Sequence, residues 1–408
     1  MPNFRIKSLA DENRIEELVA LNAGIHNESP SFFKKLFNDN PENSRPDFHR
    51  FILEDEKIVA GTSLLRHRLR WYSSEIQSGE IGLVGTLEEY RGKGYSAALM
   101  NSCLETLRNE GIPLCFLWGI PNYYQRFHFH YAYPNHSTAY VSIPKSCTTD
   151  WEPSGTIRPA DKADLAAIKR LYESYNMGLI GSEIRSEAMW KYYFDLSSGR
   201  SDAKWWMTDD PAGCYAFVAG EKSAVWEIAA TSMTSLRNIV TGLFANYPGI
   251  ECLDFYHHPD MPVGQWLYRN GAMLRSPEDI WKGTWGGMVR LMNPAGLMEL
   301  MSETLSERLQ NSRFYNFKGE LPIESEVGSA LISIDDGKVA VHESSSDKGL
   351  YIPASALTPI MTGYRGFARF RGELKDIPDA TAELLSVLFQ RDTVFMYAML
   401  YSEEAFCD

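Results

Sequence analysis

The spacing of apolar residues in the first third of the chain alternates between the periods of strands and helices. Residues 81–86 form a short apolar run that predicts a strand, and residues 97–109 show the three- and four-residue apolar spacing of a helix. Residues 113–117 form another apolar run, which predicts a buried strand. This part of the chain is therefore expected to form a sheet flanked by helices.

An internal repeat links the start of the chain to a later segment. Several residues recur at one constant offset, and around each copy the pattern predicts a strand, a turn and an amphipathic helix. The matched pairs are Arg5 and Arg158, Ala10 and Ala163, Asp11 and Asp164, Ile15 and Ile168, and Leu18 and Leu171. The alternative is that two unrelated helices share an ordinary spacing of apolar residues.

Composition along the chain suggests where domains begin and end. Residues 145–155 end in Pro-Ser-Gly, which is typical of a linker, so we place a boundary near residue 150. Beyond a Gly- and Trp-rich stretch at 281–287, the pattern predicts a strand at 288–292 and a helix at 294–309. We expect three domains, residues 1–150, 151–286 and 287–408. The third has an α+β pattern, with further predicted strands at 329–334, 337–343, 349–352 and 393–400 and a helix at 380–389.

The composition is that of a folded protein and limits its partners. The 408 residues are 44% hydrophobic and carry a formal net charge of −13, which excludes intrinsic disorder and disfavours nucleic acid and anionic membranes as partners. Charged residues interrupt the N-terminus, so no signal peptide is predicted, and no apolar run has the length of a membrane span. Six scattered cysteines favour a reducing cytoplasm, and no metal site is predicted.

A glycine-containing loop lies between the strand predicted at 81–86 and the helix that follows. Residues 91–96 read Arg-Gly-Lys-Gly-Tyr-Ser. Glycines on both sides of a lysine let backbone amides turn toward one point, and the helix N-terminus adds unpaired N–H groups. Such a loop can bind a phosphate pair, although an ordinary surface turn would use the same glycines. It matches neither the Rossmann motif nor a nucleotide-hydrolysing phosphate loop.

An aromatic segment follows the strand predicted at 113–117. Residues 121–129 read Pro-Asn-Tyr-Tyr-Gln-Arg-Phe-His-Phe. The Tyr124 phenol, with an ordinary pKa of about 10, is a candidate proton donor to a thiolate, and the alternative is an aromatic side chain that anchors a helix. Cys115 lies in an apolar run without a neighbouring His or Lys, so we interpret it as a core residue rather than a nucleophile.

Together the two motifs resemble those of the GNAT acetyltransferases. In that family the loop has the form Arg or Gln, two residues, Gly, any residue, then Gly or Ala; here Ser96 takes the second small position. The later family motif is Tyr-x-Arg/Lys-Phe-Gly-Phe/Tyr, and here His128 takes the glycine position. The resemblance implies that acetyl-CoA is the co-substrate and that Tyr124 is the catalytic acid. The cofactor-binding residues that it implies are Val84, Gly85, Thr86, Arg91, Gly92, Lys93, Gly94, Tyr95, Ser96 and Ala97.

The full length resembles the enhanced intracellular survival (Eis) acetyltransferases. That family has an α+β architecture, with two GNAT-fold domains followed by a sterol-carrier-protein-like domain. The resemblance implies that the second GNAT-like domain is degenerate, since it offers no Arg-Gly-x-Gly loop, and that the third domain shapes the pocket. It also implies a homo-oligomer and a catalytic base at the terminal carboxylate, here Asp408, although family members usually end in an aromatic residue.

The expected function is acetyl-CoA-dependent transfer of an acetyl group directly to a primary amine. The net charge of −13 suits a small cationic acceptor of the aminoglycoside or polyamine kind, and a lysine side chain is the other acceptor class. Two other functions stay open: a catalytically silent acyl-CoA-binding regulatory protein, and a lipid carrier that uses the third domain. Phe32, Phe33 and Phe37 fit either a helix core or a wall of the acceptor site.

Overall fold

The chain forms two compact units, each built from two separate stretches of sequence. The computed structural model describes residues 4–135, 138–198, 201–210, 212–220, 223–277, 286–344 and 349–397. The first unit comprises Met1–Ala132 and Gly287–Asp392, and the second comprises Tyr133–Gly286 and Thr393–Asp408. None of the described helices combines the length and apolar character needed to cross a bilayer.

Both units contain strands and helices. The strands are β1 (Arg5–Ser8), β2 (His49–Glu54), β3 (Lys57–Trp71), β4 (Ser74–Thr86), β5 (Leu114–Gly119), β6 (His130–Tyr133), β7 (Val141–Pro144), β8 (Ile157–Pro159), β9 (Lys204–Thr208), β10 (Cys214–Val218), β11 (Ala224–Ala230), β12 (Cys252–Phe255), β13 (Met273–Leu274), β14 (Gly286–Leu291), β15 (Gly319–Ser325), β16 (Gly328–Asp335), β17 (Lys338–Glu343) and β18 (Leu350–Tyr351). The helices are α1 (Ile15–His26), α2 (Pro30–Asp39), α3 (Tyr95–Asn109), α4 (Leu165–Tyr175), α5 (Glu187–Ser198), α6 (Met233–Asn246), α7 (Pro262–Tyr268), α8 (Pro294–Glu299), α9 (Ser302–Gln310), α10 (Ala354–Thr362) and α11 (Asp379–Leu388).

The first unit is built on a seven-stranded sheet in the order β1-β2-β3-β4-β5-β14-β6. Strands β1 to β4 pair antiparallel, and β4 pairs parallel to β5. A Cβ atom at Gly61 of β3 would meet Leu18 of α1, whereas Leu64 of the same strand packs in a buried cluster with Met100 of α3. Residues three apart on a strand point to opposite faces, so α1 and α3 lie on opposite faces of the sheet.

The second unit has a sheet with the corresponding order, β8-β9-β10-β11-β12-β7-β13. Again the strands up to β11 pair antiparallel, and β11 pairs parallel to β12. Each sheet begins with a short strand followed by a helix, β1 and α1 in the first unit and β8 and α4 in the second. These are the two segments that the sequence repeat relates. The fold is therefore mixed α+β, with two large sheets flanked by helices.

Each sheet receives one strand from a distant part of the sequence. Strand β14 lies between β5 and β6 in the first sheet, and β7 lies between β12 and β13 in the second. In the second sheet, Ile143 of β7 pairs with Leu253 of β12. The chain thus leaves the first sheet after β6, completes the second, and returns with β14.

Because of this exchange of strands, the boundaries of the two units differ from the domain boundaries expected at residues 150 and 287. Residues 133–150 lie in the second unit because β7 pairs there, and residues 287–392 belong to the first unit because β14 pairs there. The Pro-Ser-Gly composition at 153–155 marks a surface connection between β7 and β8 rather than a change of unit. A strand joins whichever sheet position it can pair with, and composition does not show that position.

The remainder of the first unit, from α8 onward, has a four-stranded sheet in the order β17-β16-β15-β18 and helices α8 to α11. The helix expected at 294–309 is two helices, α8 and α9, with an interruption at Leu300 and Met301. The strand expected at 393–400 is absent from its described part, since in 393–397 only Val394 forms an isolated bridge, with Ile180. Phe395 and Tyr397 are instead buried in an aromatic cluster of the second unit. This burial explains why these residues are apolar although they form no strand.

Candidate active site

Strands β4 and β5 of the first sheet pair over only part of their length. Their parallel register runs from Ser78 with Leu114 to Glu80 with Phe116. Beyond that point β4 continues to Thr86 and β5 to Gly119, and neither extension pairs with the other within the described register. The interval between these extensions is called the first wedge below. On the β4 side it is lined by Val84 and Thr86, which are partly exposed, and by Gly85, which is buried.

A β-bulge lies on β4 at the edge of the first wedge. Gly61 pairs with Gly85 and Ser63 pairs with Gly82, so Leu83 and Val84 together oppose a single residue of β3. Leu83 has a φ of 52°, in the left-handed region that a leucine rarely adopts. The extra residue reverses the alternation of side chains along β4 and frees backbone groups from the ladder.

The glycine loop lies between β4 and the start of α3. Gly92 and Gly94 have φ angles of 80° and 86°, and a Cβ atom at either position would meet nothing within 4 Å. Gly94 is the N-cap of α3, and no side chain caps the first turn of this helix. The free N–H groups of that turn and the open space at the glycines fit a pyrophosphate. A hydrogen bond of 2.9 Å between the hydroxyls of Thr86 and Ser96 ties β4 to the helix start.

Two side chains of the loop are held by Glu54 of β2. The Lys93 ammonium lies 2.9 Å from one Glu54 oxygen, and the Tyr95 hydroxyl donates a hydrogen bond to the other. The Glu54 carboxylate raises the pKa of Tyr95 to about 12. These contacts hold both side chains against β2, so of the groups of Lys93 and Tyr95 the backbone amides are the ones left available at the loop. The Arg91 side chain is exposed.

Tyr124 begins the 3-10 helix Tyr124–Phe127, which follows β5 after the connecting residues 120–123. Its side chain is 8% exposed, and a Cβ atom at Gly119 would lie 2.6 Å from its ring, so only glycine fits beneath it. Burial raises the pKa of Tyr124 to about 12. Its hydroxyl therefore keeps its proton throughout the neutral range, and no described residue hydrogen-bonds it.

One apolar cluster brings several of the predicted site residues together. Val84 and Ala97 pack against the buried cluster that contains Tyr124. Cys115 lies in the same cluster, and burial raises its pKa well above the usual range, which fits its interpretation as a core thiol. Asp408, the expected base, lies outside the described residues.

Sequence reasoning missed one residue that holds the Tyr124 helix. Arg290 of β14 donates a hydrogen bond to the carbonyl of Phe127, the last residue of that helix. The next residue, His128, has a φ of 58°, so it adopts the left-handed conformation that the family motif assigns to glycine. The sequence did offer one signal for Arg290, because it is a charged residue inside the apolar strand 286–291. The sequence could not show its partner, the Phe127 carbonyl, which lies far away along the chain.

The second sheet has a corresponding wedge with different contents. Strands β11 and β12 pair only at Ala224 with Asp254 and at Val225 with Phe255. Beyond the pairing, the Tyr397 hydroxyl lies 3.4 Å from the carbonyl oxygen of Ile228 on β11 and 2.8 Å from Nδ1 of His257 after β12. Tyr397 thus bridges the diverging strands of this second wedge.

The His257 ring, expected in an ordinary loop, is fully buried beneath this bridge. Its Nε2 lies 3.0 Å from the Tyr175 hydroxyl, which accepts a hydrogen bond from the Val263 amide. Burial lowers the pKa of His257 to about 3, so the ring is neutral. A network of buried hydrogen bonds therefore closes the second wedge.

Comparison with known proteins bears on the first unit. Residues 6–132 match the acetyltransferase (GNAT) domain. The match covers β1 to β5, the glycine loop, α3 and Tyr124. No curated protein matches the chain in sequence.

Solved structures resemble the chain over almost its whole length. A GCN5-related N-acetyltransferase from Anabaena variabilis is 17% identical with a TM-score of 0.73, covering 97% of this chain and 99% of that one. One from Kribbella flavida is 16% identical with a TM-score of 0.72, covering 97% and 98%. Eis1 from Mycobacterium abscessus is 15% identical with a TM-score of 0.64, covering 95% and 97%. At these identities the likeness shows the fold, and with the GNAT match it supports an acetyltransferase.

Proposed function

We propose that this chain is an acetyl-CoA-dependent N-acetyltransferase that acts on a primary amine. The observation that carries the proposal is that one unit combines the open first wedge, an uncapped helix N-terminus behind two glycines, and Tyr124 in a shared apolar cluster. Each part has its own structural use elsewhere in proteins. Their combination fits a thioester-bearing ligand with a pyrophosphate at one end.

The residues that would hold acetyl-CoA follow from this arrangement. The amides from Gly92 to Ala97 would bind the pyrophosphate, and backbone groups of Val84 and Thr86 would bind the pantetheine arm along the first wedge. Bound acetyl-CoA supplies the acetyl group in activated form, as a thioester. Arg91, exposed beside the glycines, adds a positive charge for the phosphates.

Tyr124 is the proposed proton donor. Its raised pKa keeps a proton on Oη, and its ring is fixed by Gly119 and by an edge contact with Tyr123 at a centroid distance of 4.8 Å. A fixed, neutral phenol at the end of the wedge is suited to donate to a leaving sulfur. Arg290, through the Phe127 carbonyl, is a positioning residue for this helix.

The acceptor proposed is a small cationic molecule of the aminoglycoside or polyamine kind, or a lysine side chain. The net charge of −13 favours cations in general. The experiment is an acetyl-CoA consumption assay over aminoglycosides, polyamines and lysine peptides, run in parallel with the Tyr124→Phe enzyme. Amine-dependent release of CoA that is lost in this variant supports the proposal. Binding of acetyl-CoA without release for any amine would instead favour a silent acyl-CoA-binding protein.

The remaining parts of the proposal concern domain roles. The two units, with corresponding strand orders, would be tandem GNAT-like domains of the Eis kind, the second of them unable to bind acetyl-CoA because Tyr397 bridges its wedge. The α+β part from α8 to α11 would be the sterol-carrier-protein-like domain. Oligomer formation follows from the same resemblance.

A further inference from the structure

The connection between α4 and α5 in the second unit is buried although it is irregular. Residues 179–185, called the docking segment below, are all buried and form no helix and no strand longer than a single bridge. Connections between helices usually run over the surface, because an irregular backbone leaves polar groups without regular partners. The docking segment therefore needs specific contacts that hold it inside the unit.

Arg185 supplies such contacts at the end of the docking segment. Its side chain is fully buried, and its guanidinium donates two hydrogen bonds to the Glu227 carboxylate of β11, at 3.2 and 2.5 Å. The ring centroids of Tyr172 on α4 and Trp190 on α5 lie 4.1 and 4.4 Å from the guanidinium carbon. One side chain thus ties the docking segment to β11, α4 and α5.

The docking segment pairs with residues 393–397, called the C-terminal segment below. The Ile180 amide donates a hydrogen bond to the Thr393 carbonyl at 3.1 Å, and the Phe395 amide donates one to the Ile180 carbonyl at 3.2 Å. These bonds form a parallel bridge between Ile180 and Val394. Proteins bind extended peptides in this way, with main-chain bonds for affinity and pockets for side chains. The C-terminal segment is therefore bound like a peptide ligand.

Two buried aromatic side chains anchor the C-terminal segment beyond the bridge. Phe395 and Tyr397 are 1% and 3% exposed. The Tyr397 ring lies with its centroid 6.3 Å from that of Tyr172, the residue that also packs on the Arg185 guanidinium. Arg185 is therefore connected to the C-terminal segment along two paths, through the Ile180 backbone and through the Tyr172 ring.

We propose that the second unit is a docking domain for the C-terminal segment of its own chain, and that Arg185 is the positioning residue that keeps the docking segment in its binding form. A guanidinium fixes direction because it binds a carboxylate at two points and stacks on aromatic rings, whereas an ammonium does neither. The proposal concerns the second unit alone and is independent of the acetyltransferase activity proposed for the first.

The first test exchanges the guanidinium for an ammonium in the full chain. In Arg185→Lys the amides of Ile180 and Phe395 should exchange with solvent about 10-fold faster, because the backbone that pairs them is no longer held. Carboxypeptidase digestion followed by mass spectrometry should remove the C-terminal segment about 10-fold faster than from the wild type, since cleavage follows the population of the released form. Wild-type rates of both exchange and digestion in Arg185→Lys would overturn the proposal.

Arg158→Lys is the matched control for a bidentate ion pair in the same unit. Arg158 donates two hydrogen bonds of 2.7 Å to Asp164, which precedes α4, whereas the docking segment follows the other end of this helix. Exchange at Ile180 and Phe395 should therefore stay within about 2-fold of the wild-type rate. Equal acceleration in the two variants would show that general destabilisation explains the result, and would overturn the role of Arg185.

Glu227→Gln tests the same contact from the other partner and decides the question if Arg185→Lys does not fold. The amide keeps the shape of the carboxylate, and the Glu183 carboxylate, 3.6 Å from Nε of Arg185, still compensates the buried charge. Exchange at Ile180 and Phe395 should rise about 3-fold, because one charge-assisted bond becomes neutral. Wild-type exchange at both amides in Glu227→Gln would show that the docking segment holds its form without the ion pair, which would overturn the proposal.

Discussion

The two wedges share one sheet design and differ in how their backbone groups are satisfied. In the first unit, α3 begins at Gly94 without a side-chain cap, and its first turn faces open space. In the second, α6 follows β11, and the Ser232 side chain caps it by accepting a hydrogen bond from the Ser235 amide at 3.1 Å. The second wedge is bridged by Tyr397 as well. The first unit thus leaves backbone groups unsatisfied that the second unit satisfies within its own chain, and we propose that these groups of the first unit form the binding site.

Substituting Gly94 is the strongest way to make the first wedge resemble the second. Gly94→Glu places a carboxylate at the pyrophosphate position and should weaken acetyl-CoA binding by about 100-fold or more, leaving no second site to compensate. Calorimetric titration of wild type should give one site per chain.

Gly111→Glu is the matched control at the other end of α3. Gly111 has a φ of 68° and equally open surroundings, so both variants pay a similar backbone cost of roughly 1 kcal/mol. Only Gly94→Glu should lose binding. Two equivalent sites in wild type, or equal losses in both variants, would contradict the comparison.

Tyr124→Phe tests the chemistry of the first wedge without altering its shape. Turnover should fall by about 10²-fold, while acetyl-CoA affinity stays within a few-fold, because the ring packing on Gly119 is kept and only the proton is lost. Tyr123→Phe, on the neighbouring residue, is the control and should keep most activity. The reverse ranking in steady-state assays would transfer the role to Tyr123.

Acidification should lower the stability of the second unit, because His257 is buried there as a neutral ring. Its pKa of about 3 lies below the ordinary value of about 6.5, so the unfolded state binds a proton that the folded state does not. This contribution to stability is complete above pH 6.5 and is lost as pH falls toward 3, by up to about 1.4 kcal/mol per pH unit.

The measurement is urea unfolding of the second unit between pH 7 and pH 5. In His257→Gln the free energy of unfolding should depend less on pH, because up to one fewer proton is taken up on unfolding. His342→Gln, at an exposed position, should leave this pH dependence unchanged. A wild-type curve with the same slope as His257→Gln would show that the Tyr397 bridge does not depend on a neutral imidazole.

The smallest expected effect comes from removing the hydrogen bond between Arg290 and the 3-10 helix that begins at Tyr124. Arg290→Met removes the donor to the Phe127 carbonyl and should lower turnover by about 10-fold with little change in acetyl-CoA binding. Arg290→Lys, which can still donate, should recover part of it. A rise in KM with unchanged kcat would place Arg290 in binding instead.

Local features of this chain could be predicted from sequence, and features that join distant segments could not. The glycine loop, α3 and the strand before it follow from periodicity and turn chemistry within about thirty residues. The position of β14 between β5 and β6 could not be predicted, since any buried strand has the same apolar pattern. Tyr397 was expected in a strand for the same reason, because a buried aromatic residue and a strand residue look alike in sequence.

The exchanged strands also set an order of events during synthesis. Domains fold in sequence from the N-terminus as the chain emerges, but the first sheet cannot gain its strand between β5 and β6 until residues 286–291 have been made. Until then the nascent chain presents unpaired edges at β5 and β6, which invite wrong pairing. A fragment ending near residue 150 would keep these edges open and carry β7 without its partner β12, so it should aggregate, whereas the full chain completes both sheets.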